Sequence, residues 1–193
     1  YGTYKVKDVN NDGKYTADKD RKIIGYSDPA YRFSIQNSFR YKNWEFKFMI
    51  NSVQGGKNYY YGQPGKDLAN PDNIYQNNLF NFDYWTPENP DSDIPAATTS
   101  ASNRVISSRI VEDGSFLRLK TVTLGYTFPK ALIAKARLSN ARVYIAAQNL
   151  WTWTSYSGYD PEVSVRNSAL TPGLDFSSYP RAYSLSFGVN LGF

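Results

Sequence analysis

Tyr183-Ser184-Leu185-Ser186-Phe187-Gly188-Val189-Asn190-Leu191-Gly192-Phe193 is the stretch that decides the fold. Its odd positions read Tyr, Leu, Phe, Val, Leu and Phe, and its even positions read Ser, Ser, Gly, Asn and Gly. Successive side chains of a strand point to opposite faces, so this run predicts a strand with one wholly apolar face and one small, polar face. No charge interrupts the apolar row. Two settings suit such a strand: the interior of a soluble sandwich, or a barrel wall turned to lipid with its polar face on a wet lumen.

Working outward, the same alternation returns near the start of the chain. Tyr31, Phe33, Ile35, Asn37, Phe39 and Tyr41 alternate with Arg32, Ser34, Gln36, Ser38 and Arg40. After a short turn at Lys42-Asn43, Trp44, Phe46, Phe48 and Ile50 form one face, opposite Glu45, Lys47 and Asn51. This predicts a β-hairpin with aromatic residues at both ends. Eleven residues at ~3.3 Å each, tilted ~40°, rise roughly 28 Å, close to the ~25 Å apolar band of an outer-membrane barrel. A third strand is expected from Phe116 to Phe128. Its even face is apolar only in the second half, which places Arg118 and Lys120 near a headgroup boundary. A fourth is expected over Ala141 to Thr154, where Trp151 and Trp153 suit an interfacial belt.

Between these strands the connections alternate in length. A short turn at Lys42 is followed by a long irregular segment from Gly55 to about Asn103 and a moderate turn over 129–140. A second long loop then covers 155–181. Up-and-down order puts both long loops at one end and the short turns at the other, as in outer-membrane barrels, with the segment around residues 8–20 outside the cell. Loops this long are functional or disordered, and their aromatics could stack on sugars, bind a partner or pack on one another.

Composition removes several classes of chemistry. The 193 residues include no Cys and no His, so disulfides, a Cys nucleophile, a Ser-His-Asp triad and the usual Cys/His zinc sites are all excluded. Carboxylates occur, but none at a spacing that argues for acid–base catalysis, so no enzyme is expected. The net charge is +5 and Lys and Arg are scattered along the chain, which argues against a nucleic-acid partner. Mean hydropathy is −0.56 and no long apolar run predicts a membrane helix, but alternating barrel strands need none. With neither an initiator Met nor a signal segment, the chain reads as a piece of a longer polypeptide.

Asp8, Asn10 and Asp12 hold positions 1, 3 and 5 of a calcium loop, with Gly13 at the turn and the Lys14 carbonyl at position 7. Lys19 stands where the bidentate acid belongs, so Asp18 or Asp20 would have to reach in. The alternative is a surface turn rich in Asp, Asn and Gly. Five strands also cannot close a barrel, since about 8 is the minimum and open edges in lipid cost several kcal/mol per unpaired group. A membrane reading therefore needs further strands from the same polypeptide. Its rivals are a soluble secreted β-sandwich that binds carbohydrate and a calcium-dependent module confined to Asp8–Asp20.

An ordered set of motifs resembles a known family. It runs through Asp8-Val9-Asn10-Asn11-Asp12-Gly13, Tyr84-Trp85-Thr86-Pro87-Glu88-Asn89-Pro90 and Glu112-Asp113-Gly114-Ser115-Phe116-Leu117-Arg118-Leu119-Lys120 with Val122 to Tyr126. It continues through Ala147-Gln148-Asn149-Leu150, Tyr156-Ser157-Gly158-Tyr159-Asp160-Pro161-Glu162, Tyr179-Pro180-Arg181 and the last strand. Together these resemble the C-terminal part of SusC/RagA-type TonB-dependent transporters of the Gram-negative outer membrane. The resemblance implies an all-β segment of a plugged 22-stranded barrel, a SusD-like surface lipoprotein as lid, and TonB contacts made by a region outside this chain. It also implies import of glycans or oligopeptides, and no catalytic residues. On this reading Tyr31, Phe33, Ile35, Trp44, Phe46, Phe48, Tyr183, Leu185, Phe187, Val189 and Leu191 face lipid. Arg32, Gln36, Arg40, Lys47, Ser184, Ser186 and Asn190 face the lumen, joined by Glu45, and Phe193 resembles the barrel-assembly signal.

Overall fold

The computed structural model describes residues 2, 5–60, 83–94, 96, 108–163, 172–175 and 179–193. Most of the Tyr-rich loop after Tyr60 lies outside the described residues. Five strands form one sheet: β1 (Tyr31–Tyr41), β2 (Trp44–Gln54), β5 (Phe116–Thr127), β6 (Asn140–Thr154) and β8 (Ser184–Gly192). They lie in the order β1-β2-β5-β6-β8, and every neighbour is antiparallel. All five predicted strands are present. The turn between β5 and β6 holds a short helix, α1 (Lys130–Ile133), and a 3₁₀ turn (Ala134–Ala136).

Register decides which residues share a face. Tyr41 pairs with Trp44, Phe39 with Phe46 and Ile35 with Ile50, so the apolar rows of β1 and β2 coincide. The Phe39 ring lies 6.4 Å from Phe46 and 6.3 Å from Phe48. On the far side Leu185 pairs with Ala147, Phe187 with Ile145 and Val189 with Val143. These hydrophobic residues stay open: Phe187 is 77% exposed, Val189 63% and Leu185 57%. A sandwich would bury them beneath a second sheet. Among the described residues no layer covers them.

Two expectations need correction. Lys57–Tyr60, inside the segment read as irregular, is a strand (β3) paired with β4 (Val111–Asp113) and β7 (Leu174–Asp175). Its partners lie some 50 and 115 residues further along, so no local turn signal announces it. The second concerns Arg118. Between Met49 and Ile50, β2 advances one residue while β5 steps from Thr121 to Leu119, leaving Lys120 as the extra residue of a β-bulge. The bulge reverses the alternation of β5. Leu117 and Leu119 thereby join Ser52 and Ile50 on the apolar side, and Arg118 turns to the polar face. There it is 2% exposed.

Most of the buried residues lie where the small sheet meets the long-loop end of the large one. Tyr60, Phe116, Tyr156 and Val163 are buried there with Ser52, Asn58, Arg118, Asp160 and Asp175. More than half of these buried residues are polar or charged, so the stability of this interior rests on matched hydrogen bonds as well as on area.

Candidate functional site at the long-loop end of the sheet

Arg118, the third residue of β5, is turned to the polar face by the bulge, and its guanidinium stacks over the ring of Phe116 at 5.4 Å. Its Nη2 donates to Asp160 Oδ1 at 2.5 Å, and its Nη1 lies 3.6 Å from Glu162 Oε2. The backbone N–H of Glu162 donates to Asp160 Oδ1 at 2.9 Å, and that of Arg181 donates to Asp160 Oδ2 at 3.0 Å. Arg181 closes the ring with Nε 2.8 Å from Glu162 Oε2, and Lys120 stands 4.0 Å from the same oxygen. Both ends of the last long loop, where it leaves β6 and where it enters β8, are thereby tied to one strand of the wall. Burial pushes the Asp160 carboxyl upward, but the Arg118 guanidinium and the two backbone amides outweigh it and hold its pKa below the ordinary value.

A second layer braces this knot. Tyr156 donates its hydroxyl to Asp175 Oδ2 at 2.6 Å, and its ring lies 5.6 Å from Tyr60. Burial, reinforced by the Asp175 carboxylate, raises the pKa of Tyr156, so the phenol stays protonated as a donor. Asn58 on β3 donates to the Pro161 carbonyl at 2.8 Å. Glu112 on β4 accepts from the amide and hydroxyl of Ser157 at 2.8 and 2.7 Å. These groups hold a loop in place. Each polar atom named is engaged with another, so the arrangement positions the chain around it and presents no nucleophile or general base to a substrate.

The motifs behind the family resemblance meet at this point. Gly114 to Lys120 supplies Arg118, Tyr159-Asp160-Pro161-Glu162 supplies the carboxylates, and Tyr179-Pro180-Arg181 supplies an amide and a guanidinium. Sequence reading identified the stretches but missed their pairing. The available signal was an Arg and an Asp-Pro-Glu that had no other clear role.

At the other end of the polar face lies a smaller knot. Glu45 accepts from Arg40 at 2.9 Å, Lys47 at 3.0 Å and Arg142 at 2.6 Å. Arg142 reaches Glu45 across β5 because Gly125 stands between them; a Cβ there would sit 2.6 Å from the Arg142 Nη2. Tyr144 likewise lies over Gly188. Arg40, Glu45 and Lys47 thus come together, as their shared face predicts. Arg32, Gln36, Ser184, Ser186 and Asn190 share that polar face by register but stand outside the knot. Aromatic clusters mark both ends of the opposite face: Trp44 packs on Tyr126 at 4.8 Å, Tyr126 on Phe128 at 5.2 Å, and Trp151 lies beside Trp153 at 6.4 Å.

In the Asp8–Asp20 loop, Asp8 accepts from the amides of Asn11 and Gly13, both at 2.7 Å. Asp12 accepts from Lys14, and Asn10 Oδ1 from the amide of Asp12. Asp20 folds back to accept from Val9 and Thr16, whereas Asp18 faces Arg21 at 3.6 Å. The amides of Thr16 and Val9 lower the Asp20 pKa. Among the described residues, no three acidic side chains converge as a metal centre. Oxygens of the right type surround one turn, with backbone N–H groups as their partners.

No family model matches the chain. It is 34% identical over 193 residues to TonB-dependent receptor P3 of Formosa agariphila, covering 96% of this chain and 18% of that receptor. It is 29% identical over 188 residues to TonB-dependent receptor SusC of Bacteroides thetaiotaomicron, covering 96% of this chain and 17% of SusC. The solved RagAB peptide importer in its closed-closed state superposes with a TM-score of 0.73 at 25% identity, over 93% of this chain and 19% of that one. The chain therefore spans about a fifth or less of the length of these relatives. None bears the name of an enzyme, in line with the expectation from composition. The open five-stranded sheet is a segment of a barrel wall, and over nearly its whole length the chain is a homologue of TonB-dependent receptors of the SusC/RagA type.

Proposed function

We propose that this chain supplies wall and outward loops to an outer-membrane transporter that imports glycans or oligopeptides with a SusD-like surface lipoprotein. TonB would act through a region outside this chain. The observation that carries the reading is an uncovered apolar sheet face in a chain homologous along its length to such receptors. On this reading the row from Tyr31 and Phe33 through Phe46 to Leu185, Phe187 and Val189 meets lipid. The row of Arg32, Gln36, Arg40, Lys47, Ser184, Ser186 and Asn190 meets the lumen, or the protein that fills it. The Arg118 knot then holds the last long loop at the outer mouth.

The test is uptake. Cells lacking the receptor are compared with wild type for import of labelled oligopeptides and oligosaccharides, and the tagged receptor is isolated from outer membranes. Loss of uptake of one class and recovery of a surface lipoprotein support the reading. Normal uptake of both, or recovery of the receptor in a soluble fraction, overturns it.

For the Asp8–Asp20 loop the calcium reading is a separate proposal, supported by the oxygens of Asp8, Asn10, Asp12 and Asp20 around one turn. Calorimetric titration of Ca²⁺ into the intact receptor and its Asp12→Asn variant checks it. Heat that saturates in wild type and vanishes in the variant is the expected outcome, and equal heats mean a plain turn.

A further inference from the structure

Seven of the 22 Lys and Arg, far apart in sequence, gather with almost no acidic company at one end of the fold. Residues 40–47 and 125–142, the two turns and the strand ends beside them, hold seven Lys and Arg against a single carboxylate, Glu45. The rest of the chain carries one acidic residue more than basic ones, so the whole net charge of +5 arises at this end. Three of the seven cations, Arg40, Lys47 and Arg142, are engaged by Glu45. Lys42, Lys130, Lys135 and Arg137 are exposed and have no carboxylate partner among the described residues.

These four lie beside an aromatic border. Lys42 stands 5.3 Å from the centre of the Tyr41 ring, and Trp44, Tyr126 and Phe128 pack together at the same end of β2 and β5. Between the basic residues of the turn, Leu132 is 63% exposed. Aromatic rings mark the headgroup level of a membrane, and long cationic side chains just beyond it reach phosphates while their stems stay on apolar surface.

We propose that the short-turn end is a binding surface for the phosphates of anionic phospholipid in the leaflet that faces the periplasm. Short turns lie on the periplasmic side of such barrels, which selects phospholipid rather than the lipid of the outer leaflet. Each basic residue near an anionic surface strengthens binding roughly fivefold. The inference rests on the transporter reading, because only an inserted barrel brings this rim to a leaflet.

The intact receptor, purified from outer membranes, is placed in nanodiscs of phosphatidylethanolamine containing about one-quarter phosphatidylglycerol. Native mass spectrometry then counts the lipids that stay bound. Wild type should retain phosphatidylglycerol above its share of the bilayer, and salt should abolish the excess. The variant Lys42→Gln, Lys130→Gln, Lys135→Gln and Arg137→Gln should lose that excess by about tenfold or more. Lys130→Gln alone gives a milder form should the quadruple variant not assemble. No excess in wild type, or an unchanged excess in the variants, overturns the inference. So does a variant that keeps its lipid and loses an acidic protein partner instead. A receptor absent from the outer membrane sinks the transporter reading itself, whereas one that inserts normally without the excess sinks only this step.

Discussion

The two knots of charge on the polar face are built on opposite plans. At the turn end, Arg40, Glu45, Lys47 and Arg142 all stand on strands of the large sheet, already aligned by backbone pairing. At the loop end, one strand residue, Arg118, reaches carboxylates 42 and 44 positions further along, and Asp160 accepts from the amide of Arg181. The first knot decorates an architecture that strand register already fixes. The second supplies a fastening that register does not provide, and its central pair, Arg118 and Asp160, is deeply buried where Arg40 and Lys47 of the first stay open to solvent. The loop end should therefore depend on its ion pair far more than the turn end does.

Breaking the buried pair tests that difference most severely. Asp160→Ala leaves Arg118 buried without its main carboxylate, and truncations of this kind cost about 3–5 kcal/mol. Unfolding of the intact receptor in detergent by denaturant should show a loss of that order, with hydrogen exchange rising first over residues 155–163. A loss of under about 1 kcal/mol would mean that β3 and Tyr156 hold the loop unaided. The apolar face gives a somewhat smaller effect. Phe187→Arg should cost roughly 2–4 kcal/mol in a bilayer, while Ser186→Arg on the polar face should cost much less. Equal costs on both faces would remove the case for lipid on one of them.

Acid separates the ends by another route. The Asp160 pKa lies below its ordinary value, so its stabilisation is complete above the unfolded value of about 3.9. That contribution fades as pH falls through the lower, folded value. Protection of the last loop against hydrogen exchange should hold at pH 5 and fail in strong acid. Asp160→Asn should remove the pH dependence along with much of the protection.

Strands, their facing and the order of long and short connections were legible because each follows from a period of two and from turn residues next to one another. Leu185, Phe187 and Val189 announce their face with no help from distant residues. Arg118 does not. Its orientation depends on a one-residue bulge at Lys120, whose only trace in the sequence is the shift of the apolar positions of β5 from Leu117 and Leu119 to Val122 and Leu124, and its partner lies in another loop. Lys57–Tyr60 was hidden for the same reason, since its pairing spans the Tyr-rich loop and the last one. The cationic end was obscured differently: residues 40–47 and 125–142 are far apart in sequence and join only when β2 pairs with β5.

The smallest expected effect belongs to Gly125, and its smallness is the point. Its Cβ position lies against the far end of Arg142, a flexible group that can swing aside into the open polar face. Gly125→Ala should therefore disturb the reach to Glu45 while gaining about 0.5–1 kcal/mol from replacing glycine within a strand. If strand register holds this end, the two nearly cancel and the unfolding midpoint stays where it was. A fall comparable to that of Asp160→Ala would show that the Glu45 knot is as necessary as its buried counterpart. The contrast between the ends would then reduce to exposure alone.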